Sequence, residues 1–389
     1  MQNKQLVRDI YYIGVDDKEI DLFEGQYDVP NGISYNSYVI KDEKIAVMDT
    51  VDVHKAEEWL NNLSEVLEGT RPDYLVVSHM EPDHAGSIGL FLEHYPNTTI
   101  LATAKAHQMM QAFFPNLEWN NKVQQVADGE KISLGEHQLQ FIFAPMVHWP
   151  EVMVVFEEKE GILFSADGFG KFGALDTEEE WDCEARRYYI NIVGKYGASV
   201  QNLLKKASTL NIKKIFPLHG PMLTENLGHY INKYDIWSSY KPEDKGVFIA
   251  YTSIYGNTKS AALRLQGMLQ ARGVEKVMTS DLARSDMAEC VEDAFRYDRL
   301  VLASPTYDGG LFPYMREFID HLKSKNYQNR TVAFIENGSW APQAGALMIK
   351  EMSALKNITL IEPKVTIKSA VNAKNDKELQ VLADKLASC

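Results

Sequence analysis

"DYLVVSHMEPDHAGSIG", Asp73–Gly89, sets an apolar run of strand length directly before four potential metal ligands, His79, Glu81, Asp83 and His84. The β-favouring run Tyr74–Ser78 predicts a strand, and Pro82 with the following glycines predicts a turn into a helix. A strand end is a rigid mounting for ligands. Working outward, three further apolar runs end the same way: "LQFIFA" leads into Pro145-Met146-Val147-His148-Trp149-Pro150, "GILFSA" into Asp167, and "KKIFPL" into His219. All seven side chains are therefore expected at one sheet edge, and imidazole with carboxylate is a donor set for divalent metals.

His54, His94, His107, His137, His229 and His321 lie in helical or surface-like contexts and are read as structural. His229 competes with His219 as the last member by distance along the chain. "ENLGHYINKY" has a helical pattern, whereas "IFPLHGP" ends a buried strand, so His219 is preferred.

A chain of 389 residues is long enough for two domains. Its net charge of −14, with no basic stripe, disfavours a nucleic-acid partner. The three cysteines, Cys183, Cys290 and Cys389, are too few and too far apart for a disulfide framework or a thiolate metal site, which fits a reducing cytoplasm. The first residues lack a signal-peptide core, and no run reaches the ~18 apolar residues of a membrane helix, so the protein is expected to be soluble and unexported.

Short β-rich runs separated by amphipathic stretches such as Lys55–Leu67 fill the first part, predicting sheets with helices packed outside. "WSSYKPEDKG", Trp237–Gly246, reads as a linker, giving domains 1–245 and 246–389. Beyond it strands and helices alternate from Val247–Tyr251 to a closing helix Asp376–Ala387, the pattern of an α/β doubly wound parallel sheet.

After Val247–Tyr251 come Thr252, Ser253, Ile254, Tyr255, Gly256, Asn257 and Thr258, hydroxyls and backbone amides at a predicted helix start. They suit a single terminal phosphate; no triphosphatase or dinucleotide fingerprint is present. Taken alone, this loop is equally a helix cap. Two later loops should open on the same crevice: Ser304, Pro305, Thr306, Tyr307, Asp308, Gly309 and Gly310, then Glu336, Asn337, Gly338, Ser339 and Trp340. Tyr307 and Trp340 offer flat aromatic surface. The three loops resemble those of flavodoxin, and the resemblance implies FMN.

The first-domain ligand order resembles that of the metallo-β-lactamase fold, an αββα sandwich, whose first motif is His-x-His-x-Asp-His. Glu81 stands where that motif has its second histidine. A carboxylate adds negative charge and a harder donor, favouring iron or manganese over a zinc hydroxide site. Three carboxylates and four neutral imidazoles would leave roughly +1 on two divalent cations. His84 fits either a ligand to the second metal or a hydrogen-bonding neighbour that leaves a coordination position open.

A domain of this kind followed by a flavodoxin-like one resembles the flavodiiron proteins over essentially the whole chain. The resemblance implies one iron on His79, Glu81 and His148, the other on Asp83, His84 and His219, with Asp167 bridging. It also implies reduction of O2 to water or of NO to N2O, with electrons passing through FMN from a separate donor, rubredoxin or a similar redox protein. Trp149 matches the family position between the irons and the flavin, and core packing would explain it equally well. A head-to-tail homodimer or a tetramer is implied as well. The 52-position interval from Asp167 to His219 is shorter than is usual in the family. Two other readings are a zinc hydrolase with an appended flavodoxin, which Glu81 opposes, and an electron carrier with a vestigial metal domain, which the nearly complete ligand set opposes.

Overall fold

A computed structural model describes residues 5–119 and 121–389. Two compact units emerge. One runs to Tyr189 and resumes over Ala198–Asp235; the other comprises Ile190–Gly197 and Ile236–Cys389. The division falls ahead of the expected boundary after Lys245, and the strand expected from Val247 starts at Asp244. The physical reason lies inside the stretch read as a linker: Trp237 is buried and donates its indole N–H to Glu243, while the Glu243 amide bonds to the carbonyl of Arg296.

In the first unit two sheets face each other. One has the spatial order Gln5–Val7, Ile10–Tyr12, Tyr38–Ile40, Ala46–Met48, Tyr74–Val76, Thr99–Ala102, Val123–Gln125; the other runs Lys131–Ser133, Gln138–Phe143, Met153–Glu157, Ile162–Phe164, Lys214–Phe216. Their inner faces share a core that includes Tyr38, Met48, Val76, Leu101, Phe141, Val155, Phe164 and Phe216. Helix Ala56–Leu67 buries Trp59, Leu60, Leu63, Val66 and Leu67, a stripe at helical spacing. The strand Tyr74–Val76 lies parallel between Ala46–Met48 and Thr99–Ala102, so the chain leaving it at His79 is held from both sides.

The second unit has a parallel sheet in the order Val277–Asp281, Asp244–Tyr251, Tyr297–Tyr307, Thr331–Asn337, Thr359–Leu360. Reversal of the order beside the first strand is the doubly wound switch point. The last strand expected from the sequence, Thr359–Ile361, is present as Thr359–Leu360, and a further short strand, Val365–Ile367, also pairs with Thr331–Asn337. Among the described residues no helix is long and apolar enough to cross a membrane.

Candidate metal centre and cofactor groove

Each ligand candidate is placed by a local device. Asp49, buried, accepts from the amide of Ser78 at 2.7 Å and from its hydroxyl at 2.6 Å, fixing the strand end just before His79. Pro82 opens the one-turn helix Pro82–Ala85, which carries Asp83 and His84. Asp167 sits in a tight turn between Ala166 and Phe169, both in the left-handed region at φ +49° and +67°. The Nδ1 of His219 donates to the carbonyl of Ser34 at 2.7 Å.

The seven side chains come together as two clusters sharing Asp167. In the first, Nε2 of His79 and of His148 are 3.3 Å apart, each lies 3.3 or 3.0 Å from Oε2 of Glu81, and each lies 3.3 or 3.1 Å from Oδ2 of Asp167. In the second, Nε2 of His84 and of His219 are 3.0 Å apart and stand 3.3 and 3.2 Å from Oδ2 of Asp83. Here it is Oδ1 of Asp167 that faces them, at 3.1 and 3.8 Å. One carboxylate thus presents a different oxygen to each cluster.

The donor set fits cations. Among the described residues the buried carboxylates of Asp83 and Asp167 are approached only by the imidazoles of the two clusters, a costly arrangement unless a positive ion lies between them. Without one, protons must serve: burial lowers the pKa of His148, but hydrogen bonding to Asp167 and Glu81 outweighs it and pushes the imidazole up to about 9. Burial likewise works against the carboxylate of Asp167, yet the imidazoles of His79 and His84 hold it well below the usual range.

Around the second cluster stand Phe23, Tyr35 and Tyr188, with ring centroids 5.4, 6.1 and 5.5 Å from that of His219. Tyr188 is fully buried, its hydroxyl has no hydrogen-bond partner, and burial with the charges of Asp167, Glu81 and Asp83 raises its pKa well above the ordinary value. It stays a neutral O–H. Glu24 hydrogen-bonds Glu81, and desolvation followed by that like charge pushes its carboxyl up to about 7. Trp149 packs edge-on against His79 at 5.3 Å. Tyr188 and Glu24 carried no signal in the sequence, one being among 19 tyrosines and the other in a hairpin turn. The six other histidines stay outside; His137, for example, is buried against Glu157 at 2.9 Å.

In the second unit a groove of about 360 Å³ opens where the three loops meet. Ser253, Ile254, Tyr255, Asn257 and Thr258 line it, with Pro305, Thr306, Asp308 and Gly309, and with Asn337, Gly338, Ser339 and Trp340. Thr252, Gly256, Ser304, Tyr307, Gly310 and Glu336 are not in its lining. Thr252 instead donates to the hydroxyl of Ser304, bracing two loops from beneath. Gly256, at φ +89°, forms the N-cap of helix Asn257–Gln270. Tyr307 leans on Phe312 and borders a neighbouring groove with Gly310. Glu336 is buried, accepting from the amide of Gly345 and pairing with Lys364. Ala341, Gln343 and Ser369 join the lining without having been foreseen, and no lysine or arginine does. Hydroxyls, backbone amides and a helix N-terminus suit a phosphate here without a basic side chain.

The profile of the ODP family of beta-lactamases matches residues 33–220, and that of flavodoxin domains residues 248–366. An uncharacterised protein of Methanocaldococcus jannaschii is 31% identical over 321 residues, 80% of each chain. A nitric oxide reductase of Moorella thermoacetica is 29% identical, over 97% of this chain and 96% of its own. Among solved structures, the rubredoxin oxygen:oxidoreductase of Desulfovibrio gigas superposes with a TM-score of 0.93 at 24% identity, covering 100% of this chain and 98% of its own. With a beta-lactamase-like metal pocket and a flavodoxin-like groove in this order on one chain, the protein belongs to the flavodiiron family.

Proposed function

We propose that the chain reduces O2 to water, or NO to N2O, at two irons held by His79, Glu81, His148, Asp83, His84, His219 and the shared Asp167. FMN in the groove of the second unit would pass in electrons from an external donor, rubredoxin or a similar small redox protein. The observation that carries this reading is Asp167, whose two oxygens face separate clusters, each completed by two imidazoles and one carboxylate. When bound, two ferrous ions and a reduced flavin supply the four electrons that O2 requires.

The chain's own residues do the rest. Glu81 gives the first position a hard oxygen donor, which supports iron over zinc hydrolysis. Phe23, Tyr35 and Tyr188 wall the second position with rings and exclude water from it. The hydroxyl of Tyr188, neutral and unpartnered, is available to donate to a substrate oxygen, and the carboxyl of Glu24 holds a proton beside Glu81. Ser253, Asn257 and Thr258 would take the FMN phosphate, and Trp340 a face of its ring system. This reading carries a homo-oligomer, dimer or tetramer, in which the flavin of one copy serves the metals of another, a cytoplasmic location, and domains 1–245 and 246–389.

Purified protein is expected to contain FMN and about two irons per chain, the number its two clusters would hold. Reduced anaerobically and mixed rapidly with each gas in turn, it should be reoxidised by at least one, and the faster reaction identifies the preferred gas. Failure to react with either would sink the proposal. Bound zinc with ester or thioester hydrolysis indifferent to flavin removal would establish the hydrolase reading instead.

A further inference from the structure

We infer that Glu151 is a positioning residue that makes the two metal positions unequal, strengthening the one formed by His79, Glu81 and His148. The inference rests on the metal site proposed above. Glu151 is buried, at 2% exposure, and its Oε1 accepts from Nδ1 of His79 at 2.8 Å and from the amide of Met80 at 2.9 Å. Nδ1 of His79 therefore carries the proton, and the lone pair of Nε2 is turned into the cluster. Oε2 of Glu151 is buried with no hydrogen-bond partner, so beside His79 the Met80 amide is the one donor that draws on its charge among the described residues.

The other cluster has nothing equivalent. His219 donates its Nδ1 proton to a neutral peptide carbonyl, that of Ser34. Nδ1 of His84 is buried without any partner. The three imidazoles are thus backed by a carboxylate, a carbonyl and nothing. A carboxylate behind an imidazole makes it a more basic ligand and fixes its ring orientation. Glu151 also follows His148 by three residues in the same loop, so one carboxylate ties together the segments carrying two ligands of a single position. The first position therefore gains a carboxylate hydrogen-bonded to its imidazole and a locked ligand, whereas the buried Asp49 acts on His84 and His79 alike, without a hydrogen bond to either.

Titration of the metal-free full-length protein with Co(II), in competition with a chromophoric chelator, tests this. The wild type should bind two ions with unequal affinity. Glu151→Gln keeps an oxygen to accept from both His79 and Met80 but removes the charge. It should weaken one ion by roughly 10–100-fold and leave the other nearly unchanged. Glu151→Asp, which keeps the charge, should lose less than Gln, and His84→Asn should weaken the other ion. Unchanged affinities in Glu151→Gln, equal weakening of both ions, or an Asp variant as impaired as Gln would each overturn the inference. If Glu151→Gln fails to fold, the Asp variant and the unequal wild-type affinities still decide it. A wild type that binds no Co(II) would instead sink the metal site itself.

Discussion

The metal pocket and the cofactor groove are built from opposite materials. In the pocket the working atoms are side-chain nitrogens and oxygens on strand ends, nearly all buried, and their mutual distances are set by two packed sheets. The groove is made by three loops at the carboxyl ends of a parallel sheet, with Tyr255 and Trp340 each 91% exposed. Much of what the groove offers an anion is backbone, so no single side chain carries it. The difference implies that the pocket should fail abruptly when one member is changed, whereas the groove should fail by degrees.

Asp167→Asn gives the largest effect. It preserves shape but replaces one oxygen with an N–H donor, so at least one cluster loses its shared carboxylate and meets a repelling group. Metal content should fall and gas reduction should drop by more than about 100-fold, beyond the roughly 10–100-fold typical of losing an outer-sphere partner. Elemental analysis and gas-consumption rates read both. A variant that keeps two metals and more than a tenth of its activity would mean that the pocket is as tolerant as a loop.

Acid should separate the two regions further. With no cation present His148 holds its proton up to about pH 9, and His79 and His84 are also shifted upward against the burial that opposes it. A metal entering at pH 7 must displace at least one proton. Apparent affinity should therefore rise about tenfold per pH unit for each proton displaced, the part owed to His148 ending near pH 9. Calorimetry in two buffers of different ionisation enthalpy measures the release directly. FMN binding, to a groove whose lining includes no histidine or cysteine, should change little between pH 7 and 9.

Ser253→Ala probes the groove at its phosphate end. The hydroxyl oxygen of Ser253 accepts from the amide of Gly256 at 3.1 Å, leaving its own proton to donate to an anion. FMN affinity should weaken by about tenfold, the lower end of what a hydrogen bond to a charged group contributes. Fluorescence titration of flavin-free protein measures it, and a loss beyond about 100-fold would mean that the groove depends on one residue after all.

The same contrast explains what could be read from the sequence. His79, Asp83, His148, Asp167 and His219 announce themselves because few residue types bind metals and each follows an apolar run that can only be a strand. Glu151 was readable in kind, a carboxylate three residues after His148, but its role depends on a bond to His79, 72 positions away in the chain. Tyr188 and Glu24 reach the pocket from a helix and a hairpin that no local pattern ties to it. In the groove, Thr252, Ser304 and Glu336 have suitable chemistry and correct positions along the chain, yet each is buried at its loop's start and is engaged elsewhere, Thr252 with Ser304 and Glu336 with Lys364 and the amide of Gly345. Ser369 joins from just beyond Val365–Ile367, a strand that the sequence reading did not include. That the compact units divide ahead of Trp237 has a similar cause, since composition marks polar stretches and does not register the burial of Trp237 within one.

Trp340→Ala should have the smallest effect and the most selective one. At 91% exposure the indole has little contact with the protein to lose, so the unfolding midpoint should not move. Its surface is available only to a ligand. Stacking on a flavin ring is worth about 0.5–1.5 kcal/mol beyond area burial, so FMN affinity should fall by about 2–10-fold. Riboflavin, which lacks the phosphate, discriminates between the two ends of the groove. Trp340→Ala should weaken FMN and riboflavin by the same factor, whereas Ser253→Ala should weaken FMN alone. If Trp340→Ala left riboflavin binding untouched, the exposed indole would face something other than the flavin, and the aromatic side of the groove would have to be assigned to Tyr255.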